Sequence, residues 1–283
     1  MIPPRYSELP LAAPLSRFVE CVWFLESDAA VSSPPERVVP DGCPELVVQL
    51  ADPCRAGRPG APLRAQAPAL LVGPLTSCLF VAPSGRLATM GVRFRPGGLA
   101  AFTRAPADEL ADRQIAPEEV FGPSARDLRG RLLEADGDAA RAAVAAELLL
   151  SRLAERDPAP RPVERAVRRL VARRGPVSVG GLAAEFGITR RHLERSFRRE
   201  TGMGPARLGR VIRFQSVFRE IGRRRGAWAD VAVACGYYDQ SHLIRDFRDF
   251  AAATPGELFG REEPGAFGGA FVSRERLDRF FAG

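Results

Sequence analysis

The chain has 283 residues, 46% of them hydrophobic and 27% charged, enough to bury two ordinary cores and too balanced for long disorder. No run of 18 apolar residues occurs and the N-terminus lacks a basic segment followed by an apolar one, so neither a membrane span nor a secretion signal is read, and a cytoplasmic protein is expected. The net charge of +7 is uneven: residues 161–260 hold 20 Arg against 10 Asp and Glu, a net of +10, whereas residues 1–160 hold 17 against 20.

From the N-terminus the chain reads as β first, then α. Cys21-Val22-Trp23-Phe24-Leu25, Glu45 to Leu50, Ala69 to Val72 and Leu87 to Phe94 are short β-prone runs separated by Pro and Gly. Gly97 to Thr103 and Pro123 to Arg156 read as helices, the last of them Ala-rich from about Gly137. A small barrel or sandwich leading into helices is expected, with Trp23 in its core. Arg93 and Arg95 alternate with Val92 and Phe94 on the last strand and should face one side. Two readings stand for them: a pair that binds an anionic effector, or ion pairs with Asp41 or Glu45.

Five cysteines (Cys21, Cys43, Cys54, Cys78 and Cys235) show no CxxC spacing, and free thiols are expected. Cys43 reads as a small buried side chain rather than a redox thiol. Only two histidines exist, so no metal site and no cofactor are called for. Asp157-Pro158-Ala159-Pro160-Arg161-Pro162 reads as a linker. The expected division is 1–157, a sensing or dimerisation domain; 158–162, the linker; 163–260, a helical domain; and 261–283, a tail.

In the helical region two stretches repeat fifty residues apart: His192-Leu193-Glu194-Arg195-Ser196-Phe197-Arg198 and His242-Leu243-Ile244-Arg245-Asp246-Phe247-Arg248. Each follows an apolar segment and a Gly. In the first unit Leu182, Phe186, Leu193 and Phe197 form the inward stripe of two short helices, Gly187 takes the positive φ of the turn, and Thr189 caps the second helix. Arg190, Arg191, Glu194 and Arg195 fall outside the stripe, where arginine can pair with guanine in a major groove. The second unit runs from Asp230 to Phe247 with a turn one residue longer; Asp239 caps a helix that presents Gln240, Ser241, His242 and Arg245. Either histidine also fits a partly buried structural role, and Tyr237 and Tyr238 read as core and turn packing rather than base-stacking groups. Between the units, Pro205 to Arg225 carries Leu208, Val211, Ile212, Phe218 and Ile221 at helical spacing, long enough to set two recognition helices about one turn of DNA apart.

Residues 163 to 259 resemble the C-terminal DNA-binding domain of the AraC/XylS family of bacterial transcription regulators. The resemblance rests on Ala234-Cys235-Gly236-Tyr237-Tyr238-Asp239-Gln240-Ser241-His242-Leu243 with Arg245, Phe247, Thr254 and Pro255; Ala253 departs from the Gly usual in that family. It implies base contact by Arg191, Glu194, Arg195, Gln240, Ser241, His242 and Arg245. Pro40-Asp41-Gly42-Cys43, Val72-Gly73-Pro74 and Gly91 to Gly98 resemble an uncharacterised N-terminal domain found fused to AraC-type DNA-binding domains, which implies a regulatory role without a general ligand.

The expected fold class is therefore α+β: a β-rich barrel- or sandwich-like domain with helices, then an all-α domain of two helix-turn-helix units joined by a linker helix. The expected function is a sequence-specific transcription regulator, not an enzyme, whose partners are double-stranded DNA, RNA polymerase, a small-molecule effector and a second copy of itself. Two alternatives are weighed. A DNA-repair or other enzyme fused to this module needs an activated Cys beside His or in a metal cluster, and neither is seen. An interaction-only regulator would lack a small-molecule effector.

Overall fold

The computed structural model describes residues 4–30, 34–154, 161–175, 178–221, 228–260 and 274–282. Nine strands come first: β1 (Arg5–Leu9), β2 (Val19–Ala30), β3 (Glu36–Val38), β4 (Glu45–Gln49), β5 (Arg55–Gly57), β6 (Arg64–Ala65), β7 (Ala69–Val72), β8 (Leu79–Ala82) and β9 (Arg86–Phe94). A short β10 (Gln114–Ile115) lies between α1 (Ala107–Leu110) and α2 (Pro117–Phe121), followed by α3 (Leu128–Glu134) and α4 (Gly137–Ala154). They form two antiparallel sheets, ordered β1-β2-β9-β4-β7-β10 and β3-β8-β5-β6.

Period-2 alternation along β2 and β9 decides how the layers stack. Val22, Phe24, Val92 and Phe94 point into a core shared with Leu128, Leu132, Leu148 and Leu149 of α3 and α4. Cys21, Trp23 and Leu25 point the other way, onto Val47, Ala56, Leu79 and Val81. The six-stranded sheet is thus the middle layer, with the smaller sheet on one face and helices on the other. Gly91 is required at the centre of β9, because a Cβ there would lie 2.1 Å from the Trp23 ring.

The second half is helical: α5 (Pro162–Ala172), α6 (Val179–Glu185), α7 (Arg190–Thr201), α8 (Pro205–Ile221), α9 (Trp228–Ala234), α10 (Gln240–Ala251), α11 (Pro255–Phe259) and α12 (Arg274–Ala282). Pro162, read above as linker, opens α5, where its fixed φ and missing N–H suit the first helical turn. Residues 155–160, which hold most of the expected linker, lie outside the described residues, as do 222–227 after α8 and 261–273 of the tail.

The two halves share buried surface. Val39, Cys43 and Cys78 of the β-rich half belong to the same core cluster as Leu193, Phe197, Leu208 and Phe247. Gln215 of α8 donates from Nε2 to the Pro40 carbonyl at 2.7 Å, and Arg17 meets Glu164 of α5 at 2.6 Å. The tail joins in: Leu277 and Phe280 of α12 are buried, and Arg276, 1% exposed, reaches Asp41 and Glu20.

Candidate nucleic-acid interface

Both helix-turn-helix units are built by local devices that their sequences specify. In the first, Ser178 Oγ accepts from the Gly181 N–H at 3.2 Å and starts α6; Gly187 then turns the chain at φ +65°. Thr189 Oγ1 accepts from the His192 N–H at 3.2 Å, which starts α7, and Gly202 ends that helix in the left-handed conformation. Leu193 and Phe197 are fully buried, so the opposite face, with Arg191 and Arg195, is held outward. Arg190 is also exposed and donates from Nε to Glu194 Oε1 at 3.0 Å; Glu194 is half-buried. His192 is exposed rather than packed.

The second unit repeats the plan with a different interior. Gly236 turns at φ +75°, and Asp239 Oδ1 accepts from the His242 N–H at 2.7 Å to cap α10. Gln240, Ser241 and Arg245 are exposed; Leu243 and Phe247 are buried. His242 behaves differently from its neighbours. Its Nε2 lies 3.0 Å from Arg213 Nη2 and its ring stands edge-on to Tyr237. Guanidinium can only donate, so Nε2 must accept and the imidazole is neutral. Partial burial and the Arg213 charge together hold its pKa below 6.5.

That contact belongs to a network the repeat pattern did not reveal. Asp246 is fully buried, accepting from Arg213 Nη2 at 3.0 Å and from Arg210 Nη2 at 2.6 Å, and Arg210 also reaches Asp249 at 2.6 Å. Arg213 lies over the Tyr237 ring at 4.2 Å. The linker helix α8 is therefore fastened to α10 by charges as well as by Phe214, Phe247 and Phe250. The signal was present in the sequence: Asp246 occupies the apolar stripe Leu243, Phe247, Phe250, and a carboxylate there demands a buried partner. In the first unit the equivalent position is Ser196.

Tyr237 is buried, as its packing reading requires, but Tyr238 is 91% exposed at the residue before the α10 cap. An exposed aromatic beside the N-terminus of a recognition helix adds a stacking and hydrogen-bonding group to this face.

The two arginines considered for an effector are not brought together. Arg93 is wholly inside the sandwich, its Nε 2.6 Å from Glu45 Oε1. Arg95 lies just past the end of β9, outside the sheet alternation, and donates from Nε to the Ser16 carbonyl at the crevice between the halves. All five cysteines are buried free thiols, and burial pushes the Cys43 thiol well above its ordinary pKa. Among the described residues no helix is long and apolar enough to cross a membrane.

Comparison with known proteins finds separate matches for the two halves. Residues 182–261 match a family described as a helix-turn-helix domain, and residues 7–116 match a domain of unknown function. Over 91 residues the chain is 33% identical to the HTH-type transcriptional activator RhaS of Pectobacterium atrosepticum and 32% identical to that of Pectobacterium carotovorum subsp. carotovorum. The matched stretch is 31% of this chain, and the chain spans about a third (33%) of the length of these relatives. Among solved structures, ToxT of Vibrio cholerae overlaps 85% of this chain and 99% of its own, with a TM-score of 0.47 at 8% identity. A fatty-acid-bound form of ToxT overlaps 84% of this chain and 99% of its own, with a TM-score of 0.42 at 8% identity.

Proposed function

We propose that this chain, an AraC/XylS-type regulator by its two helix-turn-helix units, binds specific double-stranded DNA through α7 and α10 in successive major grooves and controls transcription there. The observation that carries the reading is the pair of capped helices, each with its N-terminal polar face exposed, held on one 17-residue linker helix. At 1.5 Å per residue α8 is about 26 Å long, comparable to the roughly 34–36 Å of one DNA turn that separates successive major grooves.

Arg190, Arg191, Glu194 and Arg195 meet the first groove; Gln240, Ser241 and Arg245 meet the second. Arginine pairs bidentately with guanine, and glutamine with adenine. His242, tied to Arg213 and Tyr237, positions α10 more than it reads bases. Tyr238 joins the second set as a backbone or stacking contact. The proposed division keeps residues 1–157 as the modulating domain and 163–260 as the reader, with the tail helix α12 lying against both. RNA polymerase, an effector and a second copy of the chain are the partners that such a regulator would engage.

Selection of bound fragments from a random DNA pool by the full chain tests this. The expected result is a two-part motif bound about 10³-fold or more tighter than random DNA, with affinity falling steeply as salt rises. Failure to enrich any motif, with binding equal on all sequences, would overturn it.

A further inference from the structure

The two histidines of the chain sit at equivalent places in the repeat and are held differently. His192 on α7 is exposed, whereas His242 on α10 is half-buried and turned onto the linker helix α8. Arg213 of α8 is 5% exposed and serves two acceptors with one guanidinium nitrogen: its Nη2 lies 3.0 Å from His242 Nε2 and 3.0 Å from Asp246 Oδ2. The other oxygen of that carboxylate, Oδ1, is already taken by Arg210, through Nε at 3.0 Å and Nη2 at 2.6 Å. Tyr237, from the turn before α10, closes the remaining side, its ring edge-on to the imidazole and 4.2 Å from the Arg213 guanidinium carbon. On α10 itself Asp239 Oδ1 accepts from the His242 backbone N–H, and Arg245 follows one turn on.

A neutral imidazole with its proton on Nδ1 fits this setting and an imidazolium does not. Once protonated, both ring nitrogens donate, so the Nε2–H would point at the N–H of a guanidinium that is itself pinned to a buried carboxylate. Asp239 and Asp246 favour the added proton; burial and the Arg213 and Arg245 charges oppose it and prevail, holding the ring's pKa below its ordinary value. Asp246 cannot take the ring in place of Arg213 without leaving a buried guanidinium uncompensated, so the ring is the part that must move. It stands in the first turn of α10 beside Gln240 and Ser241, which with Arg245 are exposed groups of the second unit.

We propose that His242 is a positioning residue for the second recognition helix: only its neutral form ties the first turn of α10 to α8, so mild acid releases the second groove while the first stays bound. The proposal rests on the reading of the chain as a DNA-binding regulator and adds that its two units answer protons differently. Among the described residues the first unit has no such tie. There α7 begins on the Thr189 cap with His192 facing solvent, and Ser196 stands where the second unit has Asp246. The sign also separates the two histidines. A positive charge on exposed His192 would attract phosphate and tighten binding, whereas the same charge on His242 breaks the contact that aims Gln240, Ser241 and Arg245.

The test uses full-length H192Q, in which His242 is the one imidazole left, on the selected operator. Footprints and affinities are measured from about pH 7.5 downward through the midpoint of the ring, which NMR gives on the same protein. Protection of the second groove and operator affinity should fall together through that midpoint, affinity by about tenfold or more, with the first-groove footprint kept. The double variant H192Q/H242Q retains an acceptor for Arg213 but cannot be protonated; whatever its affinity at the start, it should not fall over the same range. Without DNA, the amide signals of Gln240 and Ser241 should move with the midpoint of the ring. Equal pH profiles for the two variants, tighter second-groove binding in acid, loss of both footprints together, or Gln240 and Ser241 signals that ignore the ring would overturn the proposal. Should H192Q/H242Q unfold, the amide signals of H192Q decide it. Absence of a footprint on any sequence at neutral pH, with amides that follow the ring, condemns the regulator reading alone.

Discussion

Asp246 is the residue on which the second reading unit turns. It is fully buried and answers two arginines of α8, so Asp246→Ala leaves Arg213 charged, buried and without its carboxylate. Breaking a buried pair in this way costs about 3–5 kcal/mol, and the urea midpoint of the variant should fall accordingly. A loss below about 0.5 kcal/mol, the size of an ordinary surface change, would show that the network contributes little. His242 supplies a second, milder test. Its folded pKa lies below 6.5, so the folded chain favours the neutral ring. The contribution to stability is complete above pH 6.5 and is lost as pH falls through the lower, folded value. With only two histidines in the chain, a His192→Gln variant leaves a single imidazole signal; it should titrate below 6.5 in the folded protein and near 6.5 once unfolded. Titration at or above 6.5 in the folded protein would mean that the ring is not held against Arg213.

At the scale of elements, the reading helices were legible because each is specified by neighbours in the sequence. Thr189 and Asp239 cap the helices they were expected to cap, and Gly187 and Gly236 both turn at positive φ. Thr189→Ala should cost about 1 kcal/mol through loss of the cap. Gly187→Val should cost about 1–2 kcal/mol or more from backbone strain alone, since a Cβ there meets nothing within 4 Å. Thermal or urea unfolding measures both, and a neutral Gly187→Val would contradict the turn. The strands were legible in proportion to their burial. β2, β4, β7 and β9 are apolar runs and were read within a few residues, whereas β1, β3, β5, β6, β8 and β10 were not read at all. These are short or edge strands, and several are held by partners distant in sequence, as β10 is by β7 and β3 by β8, pairings of which local pattern carries no record. Asp246, Arg210 and Arg213 were missed for a related reason: the repeat drew attention to outward residues, and the network faces inward. Arg93 and Arg95 do not share one face as their spacing suggests, because the strand ends at Phe94 and the backbone turns, so one is sealed in the sandwich and the other reaches the crevice.

At the scale of the whole molecule, the two halves are joined by more than a linker. Val39, Cys43 and Cys78 cover part of the reader's core, and α12 lies across both halves with Arg276 set among acids of the β-rich half. A chain ending at Gly260 loses Leu277, Phe280 and Arg276 together and leaves Glu20 and Asp41 without that guanidinium. It should be less stable by about 3 kcal/mol or more, visible as a lower urea midpoint, while the α7 and α10 faces remain intact. Unchanged stability would show that α12 only rests on the surface. The charge map is uneven in the way the proposed function requires: the net +10 lies in residues 161–260, so phosphate attraction belongs to the helical half and not to the β-rich one.

The central claim is that one polypeptide reads two successive grooves, and footprints of Arg195→Ala and Arg245→Ala on one selected operator test it most directly. The two arginines are equivalent in the repeat, both exposed and both clear of the apolar stripe. Each change should cost about 1–3 kcal/mol on the preferred operator and relax base preference at one place. Arg195→Ala should be the more damaging, because the first recognition helix also carries Arg190 and Arg191 and holds the larger share of the contact charge. The account predicts two patches of lost protection about one helical turn apart, one for each variant. Loss of protection at the same base pairs in both variants would contradict it.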